Sequence, residues 1–224
     1  MSPATLAALL VWGTLVGVDL VSVPQMMIAR PLVAGTVAGL LLGDLETGLR
    51  VGVVLELFQF DVLPVGAVRY PEYGPATIAA VTLAHGLGGT AALGVATGVA
   101  LLLALEGGFS LHLLRTVNGR AVHRASAALE AGDARVLTRV HASGLARDVV
   151  RSSVNTALGL AVAVFGARIG AGRVPQAVLL ATTVAACGAG LAVGGMGLLR
   201  LAGRARLKWL AAGVAAGLVL VWLA

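Results

Sequence analysis

The chain has 224 residues, of which 58% are hydrophobic and only 12% are charged. Soluble domains carry roughly 25% charged residues, so this composition excludes an ordinary soluble protein and predicts an all-α, polytopic integral membrane protein. The net charge of +6 comes from basic residues in loops between apolar runs, which argues against a nucleic-acid-binding patch on a soluble fold. We expect one integral membrane domain covering residues 1–224.

The first apolar run extends from Pro3 to Val23. It lacks a basic amino-terminal region and contains Asp19, so we expect a retained membrane helix rather than a cleaved signal peptide. Pro24 and Pro31 then predict a break between helices. Gln25 lies in this break, and its amide either faces a binding site or packs against the protein.

Two short apolar pieces follow, Leu32 to Leu42 and Leu49 to Leu57. Each is shorter than the ~20 residues that a spanning helix needs, and the turn-like segment 43–48 joins them. This pattern predicts a re-entrant hairpin or a broken helix. Such backbone is tolerated at membrane depth only when it is buried in protein or lines a wet cavity, which is where transporters bind substrates.

Acidic residues occur within this apolar region: Asp44, Glu46, Glu56 and Asp61. A charged side chain at a bilayer centre costs roughly 2.5–3.5 kcal/mol on insertion scales, so an intramembrane acid indicates a functional site. Glu56 is the leading substrate-binding candidate; the alternative is a structural carboxyl bonded to the hairpin backbone. Asp44 and Thr47 either contact substrate or cap the second half of the hairpin.

The next long apolar run, Pro75 to Leu105, contains Gly88 and Gly89, where we expect a break or a close helix contact. Glu72 precedes this run in a polar, proline-rich stretch. Two interpretations of Glu72 are open: a contact at the rim of a substrate site, or an ion-pair partner of Arg69.

Basic residues dominate the middle of the chain, where seven arginines face three acids between Leu111 and Ser152. The positive-inside rule places this connector, residues 111–152, in the cytoplasm, between a hairpin-containing half (1–110) and carboxyl-terminal membrane helices (153–224). Within it, the segment from Arg115 to Leu145 has a pattern compatible with amphipathic helices, and it is either a solvated connector or a hinge or arm between the two halves. Thr156 to Gly170 and Val174 to Leu199 would cross outward and back, because a second basic group follows them: Arg200, Arg204, Arg206 and Lys208.

Several motifs occur in an order that resembles the IIC membrane subunit of the mannose/fructose/sorbose class of bacterial sugar phosphotransferase systems. The matching segments are Arg30-Pro31-Leu32, Leu42-Gly43-Asp44 with Thr47-Gly48, Leu55-Glu56, Val65-Gly66-Ala67 and Pro71-Glu72. Two segments depart from the family pattern: Gly52-Val53-Val54 replaces Gly-Gly-Thr, and Pro71-Glu72 replaces Pro-Asp.

The resemblance implies a subunit that binds and translocates a hexose or amino sugar and presents it to a separate IIB component for phosphorylation. It also implies an oligomeric complex in the bacterial cytoplasmic (inner) membrane, with a IID-like membrane subunit and soluble IIA and IIB components. No catalytic set, cofactor or metal site is predicted, since the histidines are scattered. The predicted sugar contacts are Glu56, Glu72, Asp44, Thr47 and Gln25. A non-transporting scaffold of the family and an unrelated ion-coupled transporter remain the alternatives.

Overall fold

The computed structural model describes residues 1–60, 62 and 68–202, with side chains described up to residue 196, and in these ranges every regular element is helical. Three helical segments are long and apolar enough to cross a membrane: Gly89–Arg124, Ala134–Gly170 and Gln176–Met196. The predicted all-α membrane fold is therefore confirmed. The α-helices are α1 (Pro3–Asp19), α2 (Pro31–Leu42), α3 (Leu45–Gln59), α4 (Tyr73–Leu87), α5 (Leu93–Arg124), α6 (Ser126–Glu130), α7 (Ala134–Gly170) and α8 (Gln176–Ala202), with a 3₁₀ turn (Gly89–Ala92) before α5.

Helices α2 and α3 form the predicted hairpin. With 12 residues, α2 is only ~18 Å long, short of the ~30 Å hydrocarbon core. Gly43 ends α2 in the left-handed conformation, with φ 71°, and Asp44 caps α3. The turn is thus shorter than the six residues expected, because the cap starts α3 at Leu45. The two helices touch through backbone, since a Cβ on Gly48 would lie 2.5 Å from the carbonyl oxygen of Gly35.

Helix α4 lies at the centre of the bundle, and its residues from Tyr73 to Ala84 are all buried. It contacts α1, α2, α5 and α7. Small side chains allow this close packing; for example, Gly74 approaches Val16 on α1. The break expected after this helix is confirmed at Gly88 and Gly89, whose φ values are 116° and 76°.

In the second half of the chain, helix α8 packs against α3 and α5, and the outward and return crossings stay a prediction. Helix α7 runs to Gly170, and a short turn leads into α8. The hydroxyl of Thr183 on α8 accepts a hydrogen bond from Gly94 N at 3.0 Å and donates one to Ala91 O at 3.0 Å. Farther along α8, Gly194 approaches Leu57 on α3.

The connector is a pair of helical extensions, which we call the arm. It consists of the last third of α5, helix α6 and the first third of α7, and most of its residues are partly or fully exposed. The divisions at residues 110 and 152 stay predictions, since α5 and α7 run through them without interruption. The choice between a solvated connector and a hinge or arm for Arg115–Leu145 also stays a prediction, whereas Asp148 and Ser152, just beyond that segment, are fully buried. The Arg200 side chain, and all of Asp61, Val65-Gly66-Ala67, Arg204, Arg206, Lys208 and Trp209–Ala224, lie outside the described residues.

The bundle has two distinct ends. At the arm end, Ala29 and Gly74 are adjacent, and Ser152 lies against Gly17, where α1 is about to end. At the tip end, the hairpin turn meets the end of α4, which also contacts α7 through Gly86 and Ala167. The candidate functional groups divide between these two ends.

Candidate functional site

The loop between α1 and α2 is organised by a buried carboxylate. Asp19 is 2% exposed and accepts hydrogen bonds from Met26 N at 2.7 Å and Ala29 N at 3.3 Å. Gln25 and Met27 have φ values of 59° and 63°, a region that costs non-glycine residues on the order of 1–3 kcal/mol. The loop also contains a cis Val23–Pro24 peptide bond. This role of Asp19 was not predicted from the sequence, where Asp19 only argued against a signal peptide.

A cavity of about 710 Å³ opens beside this loop at the arm end. Its volume falls within the ~300–1,000 Å³ typical of small-molecule sites. The polar lining side chains come from four parts of the chain: Gln25 and Arg30 from the loop, Gln59 from α3, Tyr70 from the segment before α4, and others from α5. The full described lining is Asp19, Leu20, Val21, Ser22, Gln25, Met27, Ala29, Arg30, Gln59, Tyr70, Leu111, Leu114, Arg115 and Asn118.

One polar atom in this lining is left without a partner. The side-chain oxygen Oε1 of Gln59 is buried and makes no hydrogen bond within the described part of the chain. An unsatisfied buried acceptor costs roughly 1–3 kcal/mol.

Glu56 lies at the base of the hairpin, next to the cavity rather than in its lining. It forms an ion pair with Arg30 and accepts a hydrogen bond from Leu32 N at 3.2 Å. The Arg30 guanidinium also stacks over the Phe60 ring, 5.5 Å from its centroid. Glu56 therefore binds the hairpin backbone, as expected for a structural carboxyl. It also orients the Arg30 guanidinium, which lines the cavity. The Glu56 side chain remains 13% exposed.

Asp44 and Thr47 lie at the tip end, one α3 length of ~22 Å from the cavity. Asp44 accepts a hydrogen bond from Thr47 N at 3.2 Å, as a helix cap does, and its other oxygen is 2.9 Å from His85 Nδ1. Asp44 thus caps helix α3, and neither Asp44 nor Thr47 lies in the cavity that Gln25 lines.

Glu72 is buried, with its side chain 1% exposed, and it pairs with Arg151 rather than Arg69. Arg151 donates to both Glu72 oxygens, at 2.6 and 3.0 Å, and its Nε donates to Asp148 at 2.9 Å. Glu72 is thus an interior group, not a rim residue. The remaining acceptors around the guanidinium are the hydroxyls of Ser110 and Ser152 and the carbonyl oxygen of Gly17, at 3.2–3.3 Å.

This network joins four helices and reaches the cavity wall. Asp148 accepts a hydrogen bond from the hydroxyl of Ser22, a cavity-lining residue. Asn155 donates to Ser110 at 2.6 Å and to Glu72 at 3.4 Å. Residues 148, 151, 152 and 155 follow the helical period on one face of α7, a signal that could have revealed this buried polar stripe.

No group of three or more histidine, cysteine or acidic residues in residues 1–60, 62 and 68–202 is placed to hold a metal ion. The arm end offers amides, an aromatic ring, guanidinium groups and backbone-bonded carboxylates.

Residues 4–209 match the family model described as the PTS system sorbose-specific IIC component. The chain is 30% identical over 151 residues to the fructose permease IIC component of Bacillus subtilis, covering 66% of this chain and 55% of the relative. It is 29% identical over 125 residues to the mannose-specific EIIC component of Escherichia coli K12, covering 56% of this chain and 46% of the relative. The chain thus spans about half the length of the curated relatives it matches.

Two solved structures share the fold. One, described only as a membrane protein, has a TM-score of 0.72 at 19% identity, covering 100% of this chain and 94% of that chain. The other is a cryo-electron microscopy structure of the mannose transporter ManYZ with microcin E492, with a TM-score of 0.57 at 20% identity, covering 97% of this chain and 87% of that chain. The family resemblance noted in the sequence is confirmed.

Proposed function

Because this chain belongs to the family of sorbose-specific IIC components of the phosphotransferase system, we propose that it is the sugar-binding and translocating membrane subunit of a mannose-family system. It would present the sugar to a separate IIB component, which would carry the phosphorylated residue. The observation that carries this proposal is the cavity of about 710 Å³ at the arm end, which combines amide, guanidinium and aromatic groups. This combination suits a pyranose, whose hydroxyls need directional donors and acceptors.

Among the five predicted sugar contacts, Gln25 is the one that lines this cavity. We assign direct contact to Gln25 and Gln59, both of which line the cavity. Glu56 acts through Arg30, whose guanidinium it holds at the cavity wall. Glu72, Asp44 and Thr47 then position the helices that frame the site instead of touching the sugar.

The same proposal includes partners and orientation. A IID-like membrane subunit would complete the transport path, and soluble IIA and IIB components would deliver the phosphoryl group. Exposed apolar side chains on α8, such as Leu180, Val184 and Leu191, leave this helix available to lipid or to a second membrane subunit. We place the arm on the cytoplasmic side of the bacterial inner membrane, as its arginines indicate.

The substitution Glu56→Gln tests the role of the hairpin base. It removes the charge that holds Arg30, so we expect sugar uptake by the complete complex to fall at least tenfold, equivalent to ~1.4 kcal/mol. The matched control is Glu46→Gln on the same helix, where the carboxylate pairs with Arg50 but is 65% exposed. The control should transport normally.

Uptake is measured in cells that express the complete set of subunits, with the membrane level of each variant quantified. Normal uptake by a correctly inserted Glu56→Gln variant would remove Glu56 from the site. If the unaltered chain with all its partners takes up no sugar, the non-transporting scaffold is favoured. Uptake that needs an ion gradient but no phosphoenolpyruvate would favour the ion-coupled transporter.

A further inference from the structure

A second cavity of about 430 Å³ adjoins the first at the arm. The two share three lining residues, Val21, Ser22 and Asn118. The second cavity lies between the two long arm helices and contains Arg147 in its lining. We call the place where the two cavities meet, defined by Arg115, Asn118 and Arg147, the junction.

The junction carries two guanidinium groups that no acid neutralises within the described ranges. Arg115 donates to the Val68 carbonyl oxygen at 3.2 Å and to the Tyr70 hydroxyl at 2.8 Å, and it stacks on the Tyr70 ring at 5.1 Å. Arg147 donates to the Asn118 side-chain oxygen at 3.0 Å. These partners are neutral, so they do not offset the positive charge of either arginine. Each guanidinium also has further N–H donors that these hydrogen bonds do not use.

Carboxylates near the junction are already bound to other groups. Asp19 is the one acidic residue among the described lining residues of both cavities, and its oxygens accept from Met26 N and Ala29 N. Asp148, behind Ser22, is held by Arg151. The junction is therefore rich in donors and positive charge and poor in free acceptors.

We propose that the junction binds the phosphate group of the phosphorylated sugar that the complex produces. This inference rests on the proposed function, because that function supplies a sugar phosphate at the cytoplasmic end. Guanidinium groups bind phosphate oxygens by paired, charge-assisted hydrogen bonds, and the Asn118 amide adds a donor. A neutral sugar gains less there, since arginine offers no acceptor to its hydroxyls.

The junction and the sugar site belong to one continuous space. Gln25 and Gln59 line the first cavity, as do Arg115 and Asn118. A hexose phosphate can thus keep its ring beside the amides while its phosphate lies between Arg115 and Arg147. Binding of the charged product at this point, on the arm side, retains it where release into the cytoplasm follows.

The test is equilibrium binding of radiolabelled hexose 6-phosphate to the purified full chain in nanodiscs of phosphatidylcholine, without IIB. We expect saturable binding that inorganic phosphate displaces and that the unphosphorylated hexose displaces only weakly. Arg115→Gln and Arg147→Gln should each weaken binding about tenfold or more. Arg139→Gln is the matched control, since it removes the same charge from the arm but lies in the lining of neither cavity.

Several results would overturn the proposal. One is the absence of saturable binding to the unaltered chain; another is equal affinity in the Arg115, Arg147 and Arg139 variants. A lipid phosphodiester has similar chemistry, so the measurement is repeated in nanodiscs containing phosphatidylglycerol. If hexose 6-phosphate does not bind in either disc, while retention of phosphatidylglycerol depends on Arg115 and Arg147, a lipid headgroup is the occupant and the proposal is wrong.

The hexose 6-phosphate binding test can fail or succeed independently of the test of the proposed transport function. If the complete complex takes up sugar but the chain does not bind hexose phosphate, only the proposed phosphate site at the junction is wrong. Binding at the junction in a complex that takes up no sugar would instead contradict the transport function.

Discussion

Replacing Arg151 by methionine should strongly destabilise the protein. Arg151 is 8% exposed and supplies the cation for two carboxylates, Glu72 and Asp148, which are 1% and 0% exposed. Arg151→Met keeps a long side chain but leaves both acids buried without their cation. Removing one partner of a buried ion pair costs roughly 3–5 kcal/mol. At ~1.4 kcal/mol per factor of ten, the folding equilibrium should shift by about two to four orders of magnitude.

The free energy of unfolding can be measured by titrating the detergent-solubilised protein with sodium dodecyl sulfate and following helix content by circular dichroism. Arg50→Met is the matched control, because its pair with Glu46 is exposed, at 58% and 65%, and such pairs contribute only ~0–1 kcal/mol. Adding Glu72→Gln and Asp148→Asn to Arg151→Met should recover part of the loss. If Arg151→Met costs no more than Arg50→Met, these groups are not a buried charge network.

Two further predictions concern topology and hairpin packing. With Cys187 replaced, a cysteine at Arg124 should be labelled only from the cytoplasm and one at Gly172 only from outside, measured with a membrane-impermeant maleimide; the reverse pattern would invert the orientation. Gly48→Ala should destabilise the fold by roughly 1–3 kcal/mol through overpacking against α2, whereas Gly98→Ala should be neutral or stabilising because no atom lies within 4 Å of its Cβ position. Equal unfolding midpoints for the two alanine variants would contradict the tight hairpin.

The hairpin could be predicted from the sequence because its signals are local. Its two apolar pieces are individually too short to span a bilayer, and Asp44 with Thr47 carries the pattern of a helix cap. Positive φ at Gly43 and Gly88 likewise follows from residue type at a turn. These elements depend on contacts between residues near one another in the chain.

The candidate site could be predicted only in part, because its partners are distant in sequence. Glu72 and Arg151 are 79 residues apart, and their pairing depends on how α7 packs against α4. The arginine count placed Arg151 in the cytoplasmic connector but gave no sign that helix packing buries it. The cavity also depends on residues that are distant in sequence. Gln25 was identified from a proline-flanked break, but it lies near Gln59 and Asn118 only because three separate segments pack together.

We propose that this chain binds sugar for a multi-component transporter and does not transport alone. The most direct test reconstitutes the purified chain in liposomes, with and without a IID-like subunit and phosphorylated IIB, and measures sugar phosphate inside. We predict accumulation only when all components are present, and its loss when Glu56→Gln replaces the unaltered chain. Accumulation by this chain alone would contradict the claim and require a phosphate acceptor within the chain itself.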